Sequence, residues 1–422
     1  MDRPKVAILR TSPRTVLSDY HELMNLAGYQ GTIDRTADTA LKVNISWHHF
    51  YPASSTTPWQ IEGVIRALEK DGYDPALIHA CHNRTVVIDA HFGERENKQI
   101  LPVQAHGLRN IHLYEGEEWI PVREAVGDLA DRFICLNDVY PDGFMIPKRF
   151  IGENISHLPT VKTHIFTTTT GAMKNAFGGL LNERRHWTHP VIHETLVDLL
   201  SIQKKIHRGV FAVMDGTFAG DGPGPRCMVP HVKNVILASS DQVAIDAVAA
   251  KLMGFDPMGI KFLRIAHERG LGCADPGGIE IVGDTSAAAE NWRFDGPMKD
   301  LTFAARMQHR IYWGNLKEPI EWSLKTWLAP WSYAASVVYH DVIWYPLNGK
   351  SRVEGALRSD WGRLFHNWER LAPDDRGFTE VGDAPPGLAR STAGLVGMGV
   401  RILGTAMKEA PEVAARRRRR RG

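Results

Sequence analysis

Cysteine is scarce in this chain. Its 422 residues hold four, Cys81, Cys135, Cys227 and Cys273, all far apart in sequence. There is no CxxC pair and no ferredoxin-type run, so no self-contained iron–sulfur cluster is expected. Such sparse cysteine fits a reducing compartment better than a disulfide scaffold. Long apolar runs are missing too. No stretch reaches about 18 uninterrupted apolar residues, so no spanning helix is expected. The opening MDRPKVAILR has no apolar core of the kind a signal peptide needs, and a cytoplasmic location follows as the expectation. Neither GxGxxG nor GxxxxGK[ST] occurs as a strand–turn–helix fingerprint, and no GxSxG elbow appears. Dinucleotide binding, a P-loop and a hydrolase elbow are therefore not supported.

Charge of one sign is also lacking: the net charge is only +2. That balance hides an asymmetry. An unbroken run of six arginines occupies residues 416–421, which leaves 44 Lys and Arg against 48 Asp and Glu, a net −4. Such a run reads as a solvated end. Contact with an acidic surface or anionic lipid is the alternative, and nucleic acid is not expected.

Strand-like and helix-like segments alternate over residues 1–285. Residues 6–10 (VAILR), 40–46, 76–81, 111–114, 210–214 (VFAVM), 235–238 and 279–282 read as strands. Residues 58–71 read as a helix with Thr57 as cap and Pro58 at its first position, and residues 241–253 as a second helix. This alternation predicts an α/β fold, a mostly parallel sheet with helices on both faces. The texture changes near residue 286. Eight of the twelve tryptophans follow, and residues 320–345 are aromatic and helical in character. Residues 286–371 are expected to form a Trp-rich helical appendage, packed on the sheet domain or serving as a dimer contact. An interfacial membrane segment is the other reading. Residues 372–422 are expected to be a flexible tail, with one short helix at 395–407.

The richest segment is LPTVKTHIFTTTTGAMKNAFGGLLNERRHWTH, residues 158–189. A strand is expected to end near Val161. Lys162, Thr163 and His164 then sit where it leaves the sheet, with Lys162 and His164 on one face. Thr170 and Gly171 lead into a short helix from Ala172 to Phe177 carrying Lys174 and Asn175, with Gly178 just beyond it. Its N–H groups and dipole would suit an anion. Arg185 and His189 add to the basic character, and a histidine that can move protons stands in the middle. His186 and His189, with Asp215, are candidate metal ligands, although Pro190 weakens a three-histidine site with His193. Asp215 and Gly216 close the strand VFAVM ahead of a glycine loop holding Gly220, a position suited to acid–base chemistry or metal binding. An ordinary Asp-Gly turn is the alternative. Lys42, Asn44, Thr56 and Thr57 form a second candidate anion cradle ahead of a helix.

KVNIS with STTPWQIEGVIRAL, ISHLPTVKTHIFTTTTGAMKNAFGG, FAVMDGTFAGDGPGP and ASSDQVAIDAVAAKLMG occur in that order within about residues 4–284. Together they resemble the family described as domain of unknown function 362. The resemblance implies an α/β fold and names no reaction. Many members of the family carry a ferredoxin module, which this chain lacks, so an electron-donor protein is an implied partner. Lys162, His164, Lys174, Asn175, Asp215 and Asp246 gain weight from the match. The expectation is an enzyme acting on an anionic small molecule, a carboxylate or a phosphate. Lys162 and Lys174 would bind charge, His164 would act as acid–base, and Asp215 would orient it or hold a metal. The alternative is a non-catalytic binding protein on a membrane or in a complex, using the Trp-rich segment and the arginine tail.

Overall fold

In the computed structural model, residues 3–83, 88–299, 301–317 and 335–370 are described, Glu183 without its side chain. The expected helix at 395–407, the arginine run and residues 318–334 of the Trp-rich segment lie outside the described residues.

The strands are β1 (Lys5–Arg10), β2 (Thr39–Val43), β3 (Ile78–His82), β4 (Arg109–His112), β5 (Trp119–Pro121), β6 (Met145–Pro147), β7 (Asn154–Leu158), β8 (Thr160–His164), β9 (Thr168–Thr169), β10 (Val210–Asp221), β11 (Val229–Ser239) and β12 (Glu280–Gly283). Ten of them form one sheet in the order β12-β1-β11-β10-β7-β2-β3-β4, with β8 joined to β10 and β9 to β8. The pairs β2–β3, β2–β7, β3–β4, β10–β7, β10–β8 and β1–β12 are parallel, whereas β11 runs antiparallel to both β1 and β10. The fold is therefore the expected α/β class with a mixed, mostly parallel sheet.

Alternation along the strands builds two cores. Ala7, Val213, Ile236 and Ala238 turn to one face, where they meet the helices Val16–Leu26 and Pro58–Lys70. Their neighbours Val6, Ile8, Ala212, Met214, Val235 and Leu237 turn to the other face and meet the helix Gln242–Met253. A period of two on a sheet covered on both sides gives near-continuous apolar runs, which is why VFAVM and VILA read as buried strands.

The helix ends follow local chemistry. Thr57 accepts the Gln60 N–H and Pro58 opens its helix. Asp241 accepts from Val243 N and Ala244 N, and Gly254, at φ 102°, ends that helix in the left-handed conformation. Gln60 then ties its helix to the sheet, donating from Nε2 to Val213 O (2.8 Å) and Pro159 O (3.0 Å).

Beyond residue 286 come the helices Phe303–Tyr312, Lys350–Leu357 and Asp360–Asn367, with the helical segment Val338–Gly349 between the first two. They share a core with the sheet domain. Phe365 stacks on Phe50 at 3.7 Å, Trp361 lies 5.2 Å from Trp59, and Trp47 Nε1 donates to Asp341 Oδ1 (2.7 Å).

Candidate functional site

β7 and β8 form one run broken at Pro159, and the strand continues through His164 rather than ending near Val161. Lys162, Thr163 and His164 are therefore inside the sheet. Alternation sends Lys162 and His164 into a cavity of about 520 Å³ and turns Thr163 away, its Oγ1 donating to Gly222 O (2.6 Å). β2 brings Lys42 to the same cavity, with Asn44 just beyond it. The turn and helix after β9 bring Thr170, Gly171, Lys174 and Asn175, and the next short helix, Phe177–Leu180, brings Gly178. Arg185, His186, His189, Arg226 and His82 complete the polar wall. Phe303, Met307, Ile311 and Tyr312 of the C-terminal helices supply an apolar wall opposite. His309 fixes that helix in place by pairing through Nε2 with Ile165 O at 2.7 Å.

The polar wall carries one sign of charge. Five basic side chains and four histidines line the cavity, and among the described residues lining it there is no Asp or Glu. Burial lowers the basicity of the three lysines, Arg226, His82, His164 and His189. It pulls the Lys174 ammonium down to about 7, helped by Arg185, and Lys42 down to about 8. Lys162 and His164 are held well below their usual ranges, first by burial and then by Lys174. His189 falls to about 3 by burial. Lys162 Nζ is positioned by Ser54 O (2.6 Å) and Thr160 Oγ1 (2.9 Å), and Lys174 sits 4.9 Å over the Phe177 ring. His164 Nδ1 accepts the Phe166 N–H (3.1 Å), which assigns the proton of the neutral ring to Nε2.

Several expected site residues stand elsewhere. Asp215 is not at a strand end. β10 runs on through Gly216 and Gly220 to Asp221, with a shift of register between Gly216 and Phe218, because β11 pairs with it on both sides of that shift. Both glycines serve close packing: a Cβ at Gly216 would lie 2.9 Å from Val235 O, and one at Gly220 2.4 Å from the Met228 sulfur. The Asp215 carboxylate, fully buried outside the cavity, accepts from Tyr20 Oη, Thr57 Oγ1, Trp59 Nε1, Thr217 N and Thr217 Oγ1 at 2.6–3.1 Å. Burial pushes its pKa up against the pull of those donors. It neither orients His164 nor joins His186 and His189, so those three do not form a metal centre. Thr56 and Thr57 are likewise structural. Thr56 Oγ1 donates to Leu158 O (2.6 Å) and Thr57 Oγ1 to Asp215, so the second cradle reduces to Lys42 and Asn44.

The short helix at Gly171 offers no open N-terminus. Asp246, from the helix Gln242–Met253, accepts from Ala172 N (2.6 Å) and Met173 N (3.0 Å). That buried cap is the role of Asp246, and the anion-facing groups are side chains. Sequence reasoning missed Arg226 and the apolar wall. Arg226 follows the glycine loop, but nothing local separates it from a surface arginine.

The sequence pattern of the family described as a domain of unknown function, numbered 362, matches residues 39–251, just over half of the chain. The chain belongs to that family. It is similar to the thylakoid-associated protein sll1697 of Synechocystis sp., with 25% identity over 156 residues, 35% of this chain and 48% of that one. The chain thus matches about half the length of that relative. A crystal structure of a Thermotoga maritima protein is similar at 11% identity, covering 62% of this chain and 59% of that one with a TM-score of 0.33.

Proposed function

We propose that the cavity binds an anionic small molecule, a carboxylate or a phosphate, and that the protein is an enzyme acting on it. The observation that carries this reading is that, among the described residues, every charged side chain of the polar wall is basic. Desolvated like charges repel one another, and an anion relieves that repulsion while restoring the protonated forms. Lys42, Lys162, Lys174, Arg185 and Arg226 bind the charge. His164 presents Nε2–H as the hydrogen-bond donor and proton carrier, and Lys174, poised at about 7, exchanges a proton near neutrality. The apolar wall of Phe303, Met307 and Ile311 favours a ligand with an apolar portion next to its charged group.

The test is thermal unfolding of the full chain with inorganic phosphate and with short- and longer-chain carboxylates. The melting point of the wild type should rise with anion concentration. Lys162→Ala and Lys174→Ala should each weaken the apparent affinity about 10–100-fold, the worth of one hydrogen bond to a charged group. A lysine is charged below its pKa, so the shift should be larger at pH 6 than at pH 9. Shifts that are equal in all three proteins, or independent of pH, would sink the proposal.

A second reading has its own observation. Val338, Val342, Ile343 and Leu347 expose apolar surface on one helical segment. Among the described residues, no helix is long and apolar enough to cross a membrane. The relative's name places that protein at a thylakoid. Peripheral contact with an anionic membrane is the corresponding proposal. Flotation of the full chain with anionic vesicles should fall with salt and in Val342→Asp/Leu347→Asp. Absence from the vesicle fraction at low salt would end it.

A further inference from the structure

Three histidines and two glutamates gather where β3 and β4 end. His82 and His112 are direct partners in the parallel β3–β4 register, each the last residue of its strand. Partners in a parallel pair turn to the same face, so the two imidazoles stand side by side, 5.1 Å apart and nearly parallel at 13°. The connection between the strands carries the helix Ala90–Glu96, which turns Glu94 onto both rings. Its Oε2 lies 3.2 Å from His82 Nε2 and 3.1 Å from His112 Nε2. All three residues are buried, and their ligand atoms lie within 4.8 Å of one another.

An outer layer holds these groups. Asn110 Nδ2 donates to Glu94 Oε2 (2.9 Å), His91 Nδ1 stands 3.5 Å from Glu94 Oε1, and His91 Nε2 pairs with Glu115 Oε1 (2.8 Å). Glu115 Oε2 also stands 3.9 Å from His112 Nδ1.

The spacing suits one ion. Ligands about 2.0–2.1 Å from a tetrahedral zinc lie roughly 3.3–3.4 Å apart. The two Nε2–Oε2 separations are within a few tenths of that. Glu94 Oε2 is meanwhile faced by two imidazoles and an amide, more partners than its two lone pairs hold. We propose that His82, Glu94 and His112 bind one divalent first-row transition metal ion. Two imidazoles and one carboxylate suit Zn²⁺, Fe²⁺, Mn²⁺ or Co²⁺ and leave coordination positions open. His82 also lines the cavity, so the ion borders the space assigned to the anion. The metal proposal does not depend on the anion reading.

The experiment is Co²⁺ and Zn²⁺ titration of the full chain after chelation and dialysis. One Co²⁺ per chain, with visible d–d absorption that Zn²⁺ abolishes, is expected. Glu94→Gln and His112→Asn should weaken binding by about 100-fold or more, beyond the 10–100-fold typical of outer partners. His164→Asn should bind Co²⁺ as the wild type does, even if it loses its response to anions. X-ray absorption at the zinc edge of the wild type should show two imidazoles with oxygen donors and no sulfur, and it requires no variant to fold. No stoichiometric uptake at micromolar free ion, a sulfur-ligated ion, or undiminished binding in folded Glu94→Gln and His112→Asn would each overturn the proposal.

Discussion

Asp215 shows at the residue scale how one side chain carries two readings. Beside Gly216 it looks like a carboxylate at a strand end, where catalysis often resides. In the fold it is the hub for five donors reaching from three elements. A buried carboxylate with that many partners is a stability device, and removing its charge leaves donors mismatched. Asp215→Asn should lower stability by about 2–4 kcal/mol, read as a lower urea midpoint. The anion-induced rise in melting point should persist in the folded variant. An unchanged midpoint would remove the structural role. Lys162 and His164 were legible as a pair because alternation along a strand is local. Arg226 was not legible, because its place at the cavity depends on the glycine loop folding back.

The turn from Thr167 to Asn175 shows at the element scale what short-range reasoning reaches. Gly171 and the hydroxyl run announce a turn into a helix, and that helix forms at Gly171–Asn175. The occupant of its N-terminus comes from 74 residues away. Gly171 has φ +80°, and a Cβ there would lie 2.1 Å from Asp246 Oδ1. Gly171→Ala should therefore cost about 1–3 kcal/mol of backbone strain and push the carboxylate off its two N–H groups. Amide hydrogen exchange at Ala172 and Met173 should quicken. Protection equal to the wild type would show that the cap survives. β10 is the opposite case. Gly216 and Gly220 are poor strand residues by propensity, so the sequence reading stopped at Met214. The long pairing with β11, with small residues needed for close approach, carries the strand to Asp221.

Seen across the whole molecule, the chain contributes both its family-matched part and the part that follows it to one site. Strands, short helical turns and a loop within the family's domain supply the basic wall, and the helix Phe303–Tyr312 supplies the apolar one. The tryptophans past residue 286 that suggested an appendage are, at Trp344, Trp361 and Trp368, part of the same core as Trp47 and Trp59. The sequence by itself determined the α/β class, the helix caps and the basic, hydroxyl-rich segment, because periodicity, caps and charge act over a few residues. Only the tertiary structure decided which of those groups meet. Parallel pairing sets His82 beside His112 across 29 intervening positions, β10 takes Asp215 out of the cavity, and the helix Phe303–Tyr312 brings an apolar wall to face the basic one. Such contacts depend on strand order and register, which no local pattern encodes.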